Sequence, residues 1–315
     1  MGEVVGRVLG GDSGAEEELV ELGAADPVGL RPYLGQLLGA EGYLPTDLFR
    51  AGQDDFQRSA MELADSGTED RHFVVAVLSE TRGPVVEEAF RRWRAEPPGM
   101  TGEVFTRLIG RNGWDFDEDG RPRASYGTTA GYELAPGQGE QEPADGACPW
   151  CGGALWTALD VDTADPRVSE ALAHTGWRGR LRVVSCYLCC CYGTTYAEVT
   201  PDGGSVWSSA HTVKPGYLDG RTLEAEEPPA TRLTVGAARP AYRLGGYEEA
   251  AGTSTLGGRP WWIQDPDVPP CPACGRLMGY VAAVTGADVG EHGVGVCYLF
   301  VHPRCGLAAT VSQFS

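Results

Sequence analysis

The stretch Cys148-Pro149-Trp150-Cys151, met again as Cys271-Pro272-Ala273-Cys274, decides how this chain folds. A Cys-x-x-Cys turn presents two thiolates to one metal ion, and a second pair arriving later in the chain completes a tetrahedron. Working outward from the first turn, Cys186-Tyr187-Leu188-Cys189 supplies that second pair after 34 intervening residues (152–185), and Cys190 and Cys191 trail it. The first set is therefore Cys148, Cys151, Cys186 and Cys189, with Cys191 able to replace Cys189 if the run is a strand, where both project to one face. Outward from the second turn lie three candidates for two places, Cys297, His302 and Cys305. His302-Pro303-Arg304-Cys305 repeats the x-x spacing of a metal hairpin, whereas Cys297 sits in an alternating strand where a core thiol is unremarkable, so the favoured set is Cys271, Cys274, His302 and Cys305. Two closed sets of four ligands predict two structural Zn2+ ions, because catalytic zinc keeps an open position.

With 315 residues, the chain has room for two or three domains with proper cores. No apolar run of about 18 residues predicts a membrane span. The start Met1-Gly2-Glu3-Val4-Val5-Gly6-Arg7 lacks the order of a secretory signal, which places the cysteines in a reducing cytoplasm, where spaced pairs are metal ligands more often than disulfides. A net charge of −19, with Lys214 as the one lysine, argues against a nucleic-acid partner and for a basic one. The clusters Arg91-Arg92-Trp93-Arg94 and Arg178-Gly179-Arg180-Leu181-Arg182 read as a solvated helix face and a strand entry.

From Ala15 to Arg111 short amphipathic segments alternate with Gly/Pro turns, for example Val85, Val86, Ala89, Phe90 and Trp93 after Gly83-Pro84. This predicts a helical, HEAT-like array over 1–111. Residues 112–147 read as a hairpin, turning at Gly113–Gly120 rather than binding calcium, followed by a linker at Pro136–Pro143. Strands are predicted at 154–161, 181–186, 194–199, 281–284 and 294–301, with a helix at 166–174 and an exposed loop at 217–230. The fold class is α+β: a helical array, then a duplicated, mostly antiparallel β-domain with halves at 148–255 and 256–315. Each half runs Cys-Pro-x-Cys, a Gly turn, an apolar strand, and later Cys-Tyr-Leu (186–188 and 297–299) and a glycine, Gly193 or Gly306.

The second half carries Leu256-Gly257-Gly258-Arg259-Pro260-Trp261-Trp262-Ile263-Gln264, then Cys271-Pro272-Ala273-Cys274, then Tyr298-Leu299-Phe300-Val301-His302. This order resembles the YwqG-like bacterial proteins and their eukaryotic relatives, the programmed-cell-death-2 proteins. The resemblance covers residues 255–315 well and 148–210 as a degenerate copy, and the N-terminal helices lie outside it. It implies a β-rich domain without an established active site and a protein- or peptide-binding, chaperone-like role. It also implies that His302 stands where the eukaryotic relatives have Cys, which makes it a ligand and leaves Cys297 out. Trp261-Trp262 reads as core, or as the lining of a peptide groove.

Catalytic patterns are sparse. His72, His174, His211 and His292 stand apart, there is no zincin histidine pair or Gly-x-Ser-x-Gly elbow, and Gly245-Gly246 and Gly257-Gly258 lack phosphate-loop spacing. The expected function is non-enzymatic binding of a protein or peptide. An immunity or antitoxin protein, or a zinc-dependent hydrolase or redox enzyme, are the alternatives.

Overall fold

The computed structural model describes residues 1–40, 44–127, 130–141, 144–221, 223–224, 227–240, 253–289 and 295–314. His292 and Gly245-Gly246 lie outside them. The chain divides into two compact units, Met1–Arg123 and Ala124–Ser315.

The first unit is helical, and its core shows why. Helix α1 (Gly2–Leu9), α2 (Gly14–Ala25) and the short α3 (Leu34–Leu38) precede α4 (Asp54–Asp65), α5 (Arg71–Glu80), α6 (Pro84–Trp93) and α7 (Gly102–Arg111). In α6, Pro84 occupies the first turn, where no amide donor is needed, and Val86, Ala89, Phe90 and Trp93 form one buried face at helical spacing. The Thr101 hydroxyl caps α7 by accepting from the Val104 amide at 3.3 Å. Phe90 meets Phe105 and Trp114 edge to face, at centroid distances of 5.6 and 5.3 Å. Trp114 lies on β1 (Trp114–Phe116), which pairs with β2 (Pro122–Ala124). Its indole N–H donates to the Ser79 carbonyl at 2.8 Å, so the hairpin is part of the helical core. At the acidic turn, the Asp117 carboxylate accepts from the Arg121 amide at 2.8 Å, and Asp115 pairs with Arg123 at 2.9 Å. Arg92 pairs with Asp65 and Arg94 lies 5.3 Å over the Phe116 ring, so that basic run is engaged locally.

The second unit is antiparallel β. An eight-stranded sheet has the order β8-β7-β13-β12-β11-β10-β3-β9, and a three-stranded sheet the order β4-β5-β6. Its strands are β3 (Gly131–Glu140), β4 (Ala144–Ala147), β5 (Ala154–Asp162), β6 (Arg180–Ser185), β7 (Thr195–Val199), β8 (Ser205–Trp207) and β9 (Thr231–Arg239). They continue with β10 (Ser254–Gly257), β11 (Gly279–Thr285), β12 (Val296–His302) and β13 (Leu307–Gln313). One helix, α8 (Pro166–Ala171), lies between β5 and β6 and is capped by the Asp165 carboxylate. Strand β12 is buried along its whole length. Cys297, Leu299 and Val301 enter the core shared with β5 and β6, while Val296, Tyr298 and Phe300 pack on the opposite face with Tyr280 and Trp262. Trp262 stacks 6.2 Å from Phe300, and its neighbour Trp261 accepts from the Tyr298 hydroxyl at 2.6 Å through its carbonyl, so this tryptophan pair braces the sheet.

Three expectations change. Part of the segment read as a linker is strand: β3 continues through Pro136 to Glu140, paired with β9, and residues 142–143 lie outside the described residues. Its pairing with β10 runs from Gly131 to Leu134, and from Ala135 to Glu140 its partner among the described residues is β9. The run Cys189–Cys191 is a 3₁₀ turn rather than a strand, so Cys191 does not share a strand face with Cys189. The Cys-Tyr-Leu match also fails, because Cys186 follows the end of β6 whereas Cys297 lies inside β12.

Candidate metal centres

Both Cys-x-x-Cys stretches fold into the same turn. Cys148 N–H donates to the Gly153 carbonyl at 2.8 Å, and Gly152 N–H donates to the Cys148 carbonyl at 2.8 Å. In the later copy Cys271 N–H donates to Arg276 and Gly275 N–H to Cys271, both at 2.7 Å. Each turn needs a left-handed residue at its fifth position, filled by Gly152 at φ +76° and Gly275 at φ +75°. Each turn leads into an apolar strand, β5 or β11, whose antiparallel partner β6 or β12 returns to it. The return strand ends on a ligand-capable residue, Cys186 just past β6 or His302 at the end of β12. A 3₁₀ turn then delivers the fourth, Cys189 or Cys305. The strands that follow, β7 and β13, pair with each other. Cys186 thus corresponds to His302, a match that the shared x-x spacing to the next ligand already carries.

The result is two groups, Cys148/Cys151/Cys186/Cys189 and Cys271/Cys274/His302/Cys305, with the ligand atoms of each within 4.8 Å of one another. The Cys151 and Cys186 sulfurs are 3.6 Å apart, as are Cys274 Sγ and His302 Nε2. In the first group three amides donate to sulfur at 3.4 Å: Trp150 to Cys148, Gly153 to Cys151 and Cys189 to Cys186. Such donors stabilise thiolate, the form that ligates metal. Cys148, Cys186 and Cys189 are buried, so the first group is enclosed. The second has Cys271 and His302 buried but Cys274 exposed.

The thiols share protons. Hydrogen bonds from Cys186 and Cys189 pull Cys148 down to about 2, and the same contacts push Cys186 and Cys189 well above the ordinary thiol value. In the second group burial, then the Cys271 and Cys274 thiols, push Cys305 up to about 11. Cys274 is lowered; its burial opposes this, and hydrogen bonds from Arg276, Cys271 and Cys305 outweigh it. Four sulfur, or sulfur and imidazole, donors at these separations can hold a metal ion in a tetrahedral site.

Of the four other histidines, His174 is a strut, with Nε2 2.8 Å from the Tyr280 carbonyl. Cys190, Cys191 and Cys297, the thiols left over by spacing, belong to neither group. Spacing leaves all three as spares, and the meeting of Cys190 and Cys297 at one cavity follows from tertiary packing that no spacing reports.

The chain is 28% identical over 327 aligned residues to the uncharacterized protein YpfL of Salmonella typhimurium (strain LT2), covering 96% of this chain and 74% of that protein. No family model matches the chain, and no solved structure matches it.

Proposed function

We propose that this is a non-enzymatic protein- or peptide-binding protein, chaperone-like in role, whose β-unit is a duplicated, YwqG-like domain held by two structural zinc ions. The observation that carries the reading is that each group offers four ligand atoms within 4.8 Å. A tetrahedral zinc in such a set has no position left for water or substrate, which supports architecture over catalysis. The repeated turn, strand pair and 3₁₀ ligand turn support the duplication, and the same order of elements supports kinship with the programmed-cell-death-2 proteins. The N-terminal helices supply a second surface, of HEAT-like type, and the net charge of −19 suits a basic partner in the cytoplasm.

The test is affinity capture from the native host with zinc-loaded full-length chain, against a metal-depleted control, together with X-ray absorption at the zinc edge. The reading expects sulfur and nitrogen scatterers only, four per zinc, and a stoichiometric protein partner recovered with the zinc-loaded chain. More light scatterers in the zinc shell than the one His302 nitrogen supplies, with no partner recovered, would overturn it in favour of a hydrolase.

A further inference from the structure

Three thiols outside both metal groups meet at one point. Cys190 is 3% exposed, lies in the 3₁₀ turn beside Cys191, and shares one cavity lining with Cys191 and with Cys297 on β12. Its sulfur also accepts from the Ser312 hydroxyl at 3.2 Å. Ser312 is the cross-strand partner of Cys297, so Cys190 sits over a single rung of the β12–β13 ladder. None of the three cysteines is in a disulfide. All three line a cavity of about 240 Å³, whose other walls include Trp156, Val284 and Val296. A water-sized molecule needs only about 10–15 Å³ of such space, so a small oxidant fits beside the sulfurs.

We propose that Cys190 and Cys297 are a peroxide-oxidisable pair, separate from the metal ligands, that closes into a disulfide between the 3₁₀ turn and strand β12. The Cys190 sulfur, as thiolate, attacks one oxygen of hydrogen peroxide. The O–O bond breaks, hydroxide leaves and takes up a proton to become water, and the sulfur is oxidised to a sulfenic acid. The Cys297 sulfur then attacks the Cys190 sulfur; the S–S bond forms, the S–O bond breaks, and the hydroxyl leaves as water with the Cys297 proton. Two thiols and one peroxide give one disulfide and two waters. The Ser312 hydroxyl donates to the Cys190 sulfur, and the Cys190 thiol donates to the Tyr187 carbonyl at 3.1 Å, which fixes the sulfur over this rung.

Cys191 is the poorer partner for geometric reasons. Adjacent Cα atoms lie about 3.8 Å apart, short of the roughly 4.4–6.8 Å that disulfides span. Cys191 is also exposed, whereas Cys190 and Cys297 are buried. Cys297 is 7% exposed and arrives from another element, as a resolving thiol must.

The experiment treats full-length, zinc-loaded protein with equimolar hydrogen peroxide and maps peptides without reduction, while a chromogenic chelator follows released zinc. The expected result is a Cys190–Cys297 cross-link, reversed by dithiothreitol, with no zinc released. In Cys297→Ser the cross-link is lost and Cys190 is trapped by dimedone as the sulfenic acid. A cross-link among the eight metal ligands with zinc release, a Cys190–Cys191 link, or oxidation of Cys190 to sulfinic acid without any link would each overturn the proposal. So would a Cys297→Ser protein that retains zinc but gives no dimedone adduct at Cys190.

Discussion

At the residue scale, His302 and Cys297 separate by place rather than by chemistry. Both lie on β12, but His302 ends the strand beside Cys274 whereas Cys297 faces the core shared with β5 and β6. His302→Ala should therefore reduce bound zinc from two ions to one per chain, His302→Cys should keep two, and Cys297→Ser should keep two, all read by elemental analysis of purified protein. The thiol pKa directions give a second expectation. Metal binds deprotonated sulfur, and Cys186 and Cys189 are held protonated above the ordinary thiol value while Cys148 is already a thiolate at neutral pH. Zinc entering the first group at pH 7 should thus displace at least two protons, and apparent affinity should fall by about a hundredfold per pH unit on acidification. Calorimetry in buffers of different ionisation enthalpy counts those protons; release of none would contradict the assigned ligands. The x-x spacing singled out in the sequence the eight residues that the fold brings into two groups able to hold a metal ion. It gave no access to the Cys190–Cys297 contact, because that meeting depends on how the 3₁₀ turn packs over the β12–β13 ladder.

At the scale of the element, the two Cys-x-x-Cys turns depend on a glycine whose backbone is left-handed and whose surroundings are open. A Cβ built at Gly152 or Gly275 meets no atom within 4 Å. Gly152→Ala and Gly275→Ala should accordingly carry backbone strain alone, about 1–2 kcal/mol each. Gly257→Ala should cost more, because its Cβ also falls 2.6 Å from that of Ala171 and 2.9 Å from the Ala171 backbone, with φ at +66°. Chemical denaturation of the three zinc-loaded variants checks this order. Elements with a clear apolar period, such as α6 and β12, were legible. Residues Pro136 to Glu140 misled because Pro and Gly are turn residues in isolation, and what makes them strand is the partner β9, whose pairing with β3 spans about a hundred residues of chain. Strand β13 carried no reading of its own, since Leu307-Ala308-Ala309-Thr310-Val311 is a short apolar run whose state is fixed by β12 and β7 on either side.

At the scale of the molecule, the two units differ in what holds them. The first has an aromatic core of Phe90, Trp93, Phe105 and Trp114 and no metal group among its described residues. In the second, Cys148, Cys186 and Cys189 are members of one core cluster and Cys271 of the other, so both hydrophobic cores close around residues of the candidate metal groups. Structural zinc contributes about 10–16 kcal/mol of apparent binding free energy near neutral pH, against a net stability of about 5–15 kcal/mol for a typical domain. Removing the metals should therefore unfold the second unit and spare the first. A strong chelator added to the full-length protein should leave the helical circular dichroism largely intact, abolish the sheet contribution, and expose the chain beyond Arg123 to limited proteolysis while a fragment close to Met1–Arg123 survives. Zinc returned under reducing conditions should restore the original digestion pattern. The two units would have to be stabilised alike, and the zinc reading abandoned, if the chelated protein unfolded with the same midpoint as the untreated one.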